Sequence, residues 1–250
     1  MRNLLFRISY NGANYHGYQV QANAVSVAQV LQDAIEKVIK VRESIVGCSR
    51  TDAKVHANCY YFNMKTACSI PADRFVTALN CVLPDDIAVH SCQEVPLSFH
   101  ARYNCTSKEY IYKIWNSPVK QPFLQNLALH YRYPLDAVHM DCACKEFIGT
   151  YDFKAFCAAG GKDMDTVRTI YDCQVTCEGD LVQFRVLGNG FLYNMVRIMV
   201  GTLLEVEEQH LAPSEIKQII LSKERHRAGR TARPEGLYLN RVNYGGDCFE

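Results

Sequence analysis

The chain has no apolar run near the roughly 20 residues that a membrane-spanning helix needs. Its start, Met1-Arg2-Asn3-Leu4-Leu5-Phe6-Arg7, lacks the long apolar stretch and small-residue cleavage site of an export signal. These absences predict a cytoplasmic protein with no membrane association. No cysteine pair has the C-x₂-C spacing common in structural zinc sites. The close pairs, Cys142/Cys144 and Cys173/Cys177, are not followed by a matching histidine pair, so no metal is expected. There is no P-loop and no dinucleotide-binding glycine fingerprint, so nothing in the sequence calls for a nucleotide or redox cofactor. A Pro- or Ser-rich linker and low-complexity sequence are also missing. Charge of one sign is scarce too: 27 Lys and Arg stand against 26 Asp and Glu, a net charge of +1. The molecule as a whole makes no strong field, so an anionic partner must be met by a local patch.

What is present is an ordinary globular composition, 48% hydrophobic and 21% charged over 250 residues. That length can bury a substantial core as one large domain or two intimate ones. The 12 cysteines, without an export signal, read as small buried hydrophobes in a reducing compartment. Alternation of Leu4, Phe6, Ile8 and Tyr10 predicts a first strand, and Asn11-Gly12-Ala13-Asn14 a turn. Ser26 with Gln29 has the form of a capping box. Val27, Val30, Leu31, Ala34, Ile35 and Val38 then make one apolar helical face. A short helix is expected after Pro71, with Phe75, Val76 and Leu79 inward, and a strand from Ile87. Tyr110, Tyr112 and Ile114 share one face of another strand. Val138 to Ile148 predicts a helix, and Thr169–Cys177 and Leu181–Leu187 a hairpin turning at Gly179-Asp180. A long helix is expected from Leu192 to Glu207, a shorter one near Pro213, and a closing strand over Leu237–Tyr244. The pattern is α+β. It predicts two halves, 1–105 and 106–250, that share a sheet.

Candidate chemistry begins with Gly47-Cys48-Ser49-Arg50-Thr51-Asp52-Ala53-Lys54-Val55-His56-Ala57. Asp52 follows Arg50 by two residues and precedes His56 by four. Ile45 and Val46 lie before it, and Cys59, Tyr60, Tyr61 and Phe62 after, so it reads as strand, polar loop, strand. Scaffolds place reactive groups on such loops. The same spacing also suits a turn in which Asp52 caps backbone N–H groups and Arg50 is solvated.

In the long helix, Met195, Val196, Ile198, Met199, Val200, Leu203, Leu204 and Val206 cover more than half the circumference. Arg197 falls on the narrow remainder with Asn194 and Gly201. A buried guanidinium needs an anion, and Asp52 is a candidate. Gly201 permits close approach of another backbone. Glu205 and Glu208 lie on the same face, so a solvated stripe fits as well. Lys223 to Arg233 carries five cations against one anion. It is either a solvated face or a surface for phosphates.

Six separated segments together resemble the TruA family of tRNA pseudouridine synthases. Arg50-Thr51-Asp52-Ala53 and Val55-His56-Ala57 fit its G-x-x-R-T-D-x-G-V-H-A signature. Tyr15-His16-Gly17-Tyr18-Gln19-Val20-Gln21 fits F-x-G-W-Q-x-Q, and Lys108-Glu109-Tyr110-Ile111-Tyr112 fits K-x-Y-x-Y. Gly149-Thr150-Tyr151-Asp152-Phe153 with Phe156 fits G-x-x-D-F-x-x-F. Phe191, Met195-Val196-Arg197 and Val200-Gly201 fit F-x-x-x-M-V-R-x-x-V-G, and Gly236-Leu237-Tyr238-Leu239 fits G-L-x-L. The matches run in order along nearly the whole chain. Lys54 stands where the family usually has glycine, Tyr18 replaces a Trp, and Arg230 and Arg233 replace prolines.

The resemblance implies the pseudouridine synthase fold, two similar α/β halves sharing a mixed, mostly antiparallel central sheet with a basic cleft. It implies isomerisation of uridine to pseudouridine at positions 38 to 40 of the tRNA anticodon stem-loop, without a cofactor, by a homodimer. Asp52 would be the nucleophile, attacking C1′ of the ribose or C6 of the base. Arg197 would offset the effect of burial on its ionisation. Tyr110 would lie against the uracil and assist loss of the C5 proton. Arg50 would handle substrate, and His56 would support the loop. Lys54, Arg225, Arg227, Arg230 and Arg233 would bind phosphates, and Leu237 would pack beneath the site. Two rivals remain. A non-catalytic tRNA-binding protein or chaperone would not need Asp52, Tyr110 and Arg197 together. An Asp-nucleophile hydrolase would want a second acidic group near Asp52.

Overall fold

The computed structural model describes residues 1–160 and 165–245. The chain divides into two compact units: Met1–Thr106 together with the strand from Tyr238, and Ser107–Leu237.

The first unit begins with β1 (Arg2–Tyr10), followed by α1 (Val27–Ile39), β2 (Ile45–Gly47), β3 (His56–Thr66), α2 (Ala72–Asn80) and β4 (Ile87–Val95). β1 lies between β3 and β4, antiparallel to both, and β2 pairs antiparallel with β3. The expected alternation of β1 holds, and Leu5 is buried as well. Phe6 stacks on Phe62 at 4.8 Å and meets the edge of Phe75 from α2 at 5.4 Å. As the sequence pattern predicted, Ser26 caps α1, its Oγ accepting from the Gln29 N–H at 3.3 Å. Asn3, a polar residue in this core, is fully buried. Its amide donates to the carbonyls of Pro96 and Phe99, each at 3.0 Å, and its oxygen accepts from Asn63 at 2.9 Å. A buried amide with partners on both sides fixes strand register at little cost.

The second unit contains β5 (Cys105–Asn116), β6 (Leu129–Tyr131), α3 (Ala137–Lys145), β7 (Gly149–Asp152), β8 (Val167–Glu178), β9 (Leu181–Gly188), α4 (Met195–Glu208) and α5 (Glu215–Ser222). β9 pairs antiparallel with both β5 and β8, β7 is antiparallel to β8, and β6 runs parallel to the end of β5. The β8–β9 hairpin turns at Gly179, whose φ is +59°, as its Gly-Asp turn suggests. β6 and β7 have three and four residues, too short for a periodic signal. β10 (Leu237–Tyr244) closes the chain and runs parallel to β3, with Tyr238 opposite His56. Among the described residues, no helix is long and apolar enough to cross a membrane, and the eleven cysteines are free.

α4 is the best buried helix of the second unit, and Gly201 is why another segment can reach it. A Cβ there would come within 1.7 Å of the Arg230 carbonyl oxygen. The segment from Ala228 to Ala232 therefore runs along α4 at backbone contact. Gly229 N–H donates to Thr202 Oγ1 at 2.9 Å, and Ala232 N–H to the Arg197 carbonyl at 3.0 Å. Gly201→Ala is expected to force this segment off the helix and to destabilise the protein by about 3 kcal/mol. Urea unfolding monitored by circular dichroism would measure it, and an unchanged midpoint would refute the packing argument.

Candidate active site

The loop between β2 and β3 carries Asp52, and backbone groups hold it. Its neighbour is the segment after the Gly12–Asn14 turn, which runs Tyr15-His16-Gly17-Tyr18. Tyr18 N–H donates to the Thr51 carbonyl at 3.2 Å, and Lys54 N–H to the Tyr15 carbonyl at 3.0 Å. Within the loop, Val55 N–H reaches back to the Asp52 carbonyl at 3.2 Å. The approach is so close that two positions exclude any side chain. A Cβ at Gly12 would lie 2.0 Å from the Val55 oxygen, and one at Gly17, where φ is +88°, 2.5 Å from the Thr51 oxygen. The glycine of the Tyr15–Gln21 segment thus has a structural explanation: it lets one loop lie against another.

Aromatic side chains brace the loop from below. The Thr51 hydroxyl is bonded to the Tyr10 hydroxyl at 2.8 Å, and the Tyr60 hydroxyl donates to the Ser49 carbonyl. Tyr18 stacks on Tyr60 at 4.3 Å. Burial pushes the Tyr18 phenol well up. Its oxygen lies near the Tyr60 hydroxyl but makes no well-formed hydrogen bond. Sequence reasoning found Tyr60 and Tyr18 only as strand and motif residues. Their role as a platform is invisible without the fold, because Tyr10, Tyr18 and Tyr60 come from three separate segments.

His56 does what the sequence reading expected of it. It is buried, and its Nδ1 accepts from the Gly12 N–H at 3.0 Å, which places the ring proton on Nε2. Its ring stacks on Tyr238 at 4.5 Å. Burial raises the Tyr238 phenol to about 12, so that face of the stack stays neutral. The imidazole is a structural bracket between the Gly12 turn and β10.

Thr51 is buried, Asp52 half-buried, and Arg50, Ala53 and Lys54 exposed. The loop therefore presents its carboxylate while its backbone is anchored. Among the described residues, Arg50 and Lys54 form no ion pair. Lys54 adopts φ +64°, the left-handed region that favours glycine, which accounts for the glycine of the family signature at this position. The departure is a matter of backbone strain as well as charge.

In the second unit, Tyr110 is buried at 6% exposure, with its ring edge-on to Phe191 at 5.1 Å. Its neighbour Glu109 pairs with Arg185 at 3.1 Å, and Arg185 also binds Asp172. Arg197 is half-buried and oriented by two contacts of its own unit. Its Nε donates to the Ala232 carbonyl at 2.7 Å and its Nη1 to Asn194 Oδ1 at 2.8 Å. Asn194 can serve because it precedes α4 in a left-handed conformation, φ +58°. Tyr112 anchors the far side of this segment, its hydroxyl donating to the Arg233 carbonyl at 2.6 Å. Of the two acids on that face of α4, Glu205 is half-buried and Glu208 exposed, and both are engaged by neighbouring segments. Glu205 accepts from the Arg230 N–H at 2.8 Å, and Glu208 accepts from the Tyr131 hydroxyl at 2.6 Å.

The basic run divides into different jobs. Arg225 turns inward and binds the carbonyls of Ala228 and Gly229 at 3.0 and 2.9 Å. Arg230 pairs with Glu208 at 2.7 Å, and Arg233 with Glu235 at 3.6 Å. Arg227 is exposed and forms no ion pair among the described residues. Leu237 is buried at the start of β10. Asp152, from the Gly149–Phe153 motif, accepts from Thr166 and Lys223, which hold its carboxyl below the usual range. This explains the motif's acid as a brace among β7, the start of β8 and the end of α5.

Residues 8–104 and 143–245 match the model of a protein family described as tRNA pseudouridine synthase. The tRNA pseudouridine synthase A of Thermoanaerobacter sp. (strain X514) is 46% identical over 244 residues, covering 98% of this chain and 100% of that protein. That of Acetivibrio thermocellus is also 46% identical, and that of Caldicellulosiruptor saccharolyticus 45%, over the same shares.

Lys54→Gly is expected to stabilise the protein by about 0.5–1 kcal/mol. It removes a left-handed strain of roughly 1–2 kcal/mol, partly offset by the greater freedom of glycine in the unfolded chain. Urea midpoints of the two proteins test this; a lower midpoint for the variant would count against it.

Proposed function

Because the chain belongs to the tRNA pseudouridine synthase family, we propose that Asp52 is the nucleophile with which it isomerises uridine at positions 38, 39 and 40 of the anticodon stem-loop. The observation that carries this reading is the Asp52 loop itself, a half-buried carboxylate on a segment whose backbone is fixed on both sides. A fixed carboxylate loses little entropy on reaching a reacting atom.

The reaction is balanced within the substrate. Asp52 forms a covalent adduct, and the bond from C1′ to N1 breaks. The uracil turns, C1′ bonds to C5, the bond to Asp52 breaks with its electron pair returning to the carboxylate, N1 gains a proton, and C5 loses its own. Tyr110 lies against the base and helps to remove the C5 proton. Arg197 is the cation that favours the ionised carboxylate, and the bonds from Ala232 and Asn194 orient it for that task. Arg50 handles the substrate. Lys54 and Arg227, exposed and without ion pairs, contact phosphates, and Arg230 and Arg233 do so from the rim. Arg225 shapes the loop that presents them. Extruding the target base costs a few kcal/mol, which phosphate contacts offset. The enzyme works as a cytoplasmic homodimer, so that one tRNA meets the cations of two copies of a nearly neutral chain.

The measurement is release of tritium from tRNA labelled at uridine C5. Wild type is expected to release it and Asp52→Ala to release none; equal release from both would remove Asp52 as nucleophile. Arg197→Met is expected to lower turnover by about 100-fold or more while tRNA affinity stays within about threefold of wild type. Full turnover in this variant would end its assignment. Binding of tRNA with no tritium release by wild type would favour the chaperone reading.

A further inference from the structure

Beside the parallel pairing of β5 and β6 lies a 480 Å³ pocket lined by Pro118, Lys120, His130, Arg132 and Tyr133. None of these residues is used in the chemistry above. The pocket lies in a stretch of one sign: from Tyr110 to Leu135 the chain has no Asp or Glu. Elsewhere on the second unit several arginines are paired with acids, Arg185 with Glu109 and Asp172, and Arg230 with Glu208. Lys120 and Arg132 are exposed and form no ion pair among the described residues. No acid of the described residues neutralises their charges.

An exposed aromatic sits with them. Tyr133 is 59% exposed, and the Arg132 guanidinium lies 5.2 Å from its ring centroid. His130 is held in place, its Nε2 bonded to the Ser117 carbonyl at 2.8 Å. Two cations without ion pairs beside an exposed aromatic ring form the combination that binds single-stranded nucleic acid, with phosphate on the cations and base on the ring. The volume falls in the range of roughly 300–1,000 Å³ that encloses a small organic group such as one nucleotide.

We propose that this pocket is a second RNA subsite, which takes one unstacked nucleotide of the bound tRNA at a point separate from the isomerised uridine. The base stacks on Tyr133, and its phosphate lies between Lys120 and Arg132. The proposal rests on the reading of tRNA as substrate. Its consequence is that tRNA affinity depends on more of the molecule than the anticodon stem-loop alone.

The chain carries its own reporter. Trp115 is the only tryptophan of the sequence; it lies opposite His130 in the strand register, and its indole N–H donates to the Val119 carbonyl at 2.9 Å. Titration of the whole protein with a short oligouridylate should give a saturable change in tryptophan fluorescence. Tyr133→Ala should abolish it, and Tyr133→Phe, which keeps the ring, should retain it. For whole tRNA, the pair Lys120→Ala with Arg132→Ala should raise Kd about tenfold and lower the slope of log affinity against log salt by about 1.4, for two single-strand phosphates. kcat at saturating tRNA should be unchanged. A tRNA Kd within twofold of wild type would overturn the proposal. So would a change in sedimentation with RNA binding intact, which would mark a surface between copies of the chain. Tritium release by wild type is read separately. If wild type releases none while these variants still lose tRNA, the isomerase reading fails and the subsite stands.

Discussion

The Asp52 loop is positioned by backbone hydrogen bonds across a contact too close for side chains. Tyr18 and Lys54 donate across it, and Gly12 and Gly17 make room for it. Backbone bonds across so close a contact have no rotamer freedom to lose, and they leave side chains available for chemistry. Much of the first unit follows from this constraint. The tyrosines beneath the loop, the His56 bracket and the parallel pairing of β10 with β3 all serve to keep two loops pressed together.

The second unit solves a similar problem around a helix. Gly201 opens a path for the segment that ends at Ala232, and that segment returns the carbonyl that orients the Arg197 guanidinium. A helix this apolar would otherwise leave the guanidinium poorly directed. Arginine suits the position because its planar fork can accept two fixed directions and still have donors to offer. The neighbouring basic run is therefore not a uniform patch. Arg225 is a loop-shaping residue, Arg230 and Arg233 are partly neutralised, and Arg227 remains exposed. Counting cations along the sequence overstates the charge available to a phosphate here. Lys120 and Arg132, spaced singly, form no ion pair among the described residues.

Much of the fold was legible in the sequence because long elements repeat their signal. The α1 face, the Ser26 cap, the β8–β9 hairpin and the bounds of β10 follow from periodicity and turn chemistry. β6 and β7 are too short to show a period, and tertiary pairing alone makes them strands. Candidate residues were legible in a different way. Asp52, Tyr110 and Arg197 stand out through motifs, which show that residues matter without showing what holds them. Tyr10 carries no such mark, because its work is to hold Thr51, which is distant in sequence; Asn194 holds Arg197 from only three residues away, by way of a left-handed conformation that no periodicity announces.

By itself, then, the sequence determined the longer elements, their order and the family, and it marked Asp52 as the candidate reactive group. Tertiary structure decided which backbone groups clamp the loop, that Glu205 and Glu208 hold a returning segment through Arg230, and that Lys54 sits in a conformation suited to glycine. The division has a physical reason. Periodicity and motifs are local properties of a chain, whereas close approach, burial and charge pairing exist only once distant segments meet.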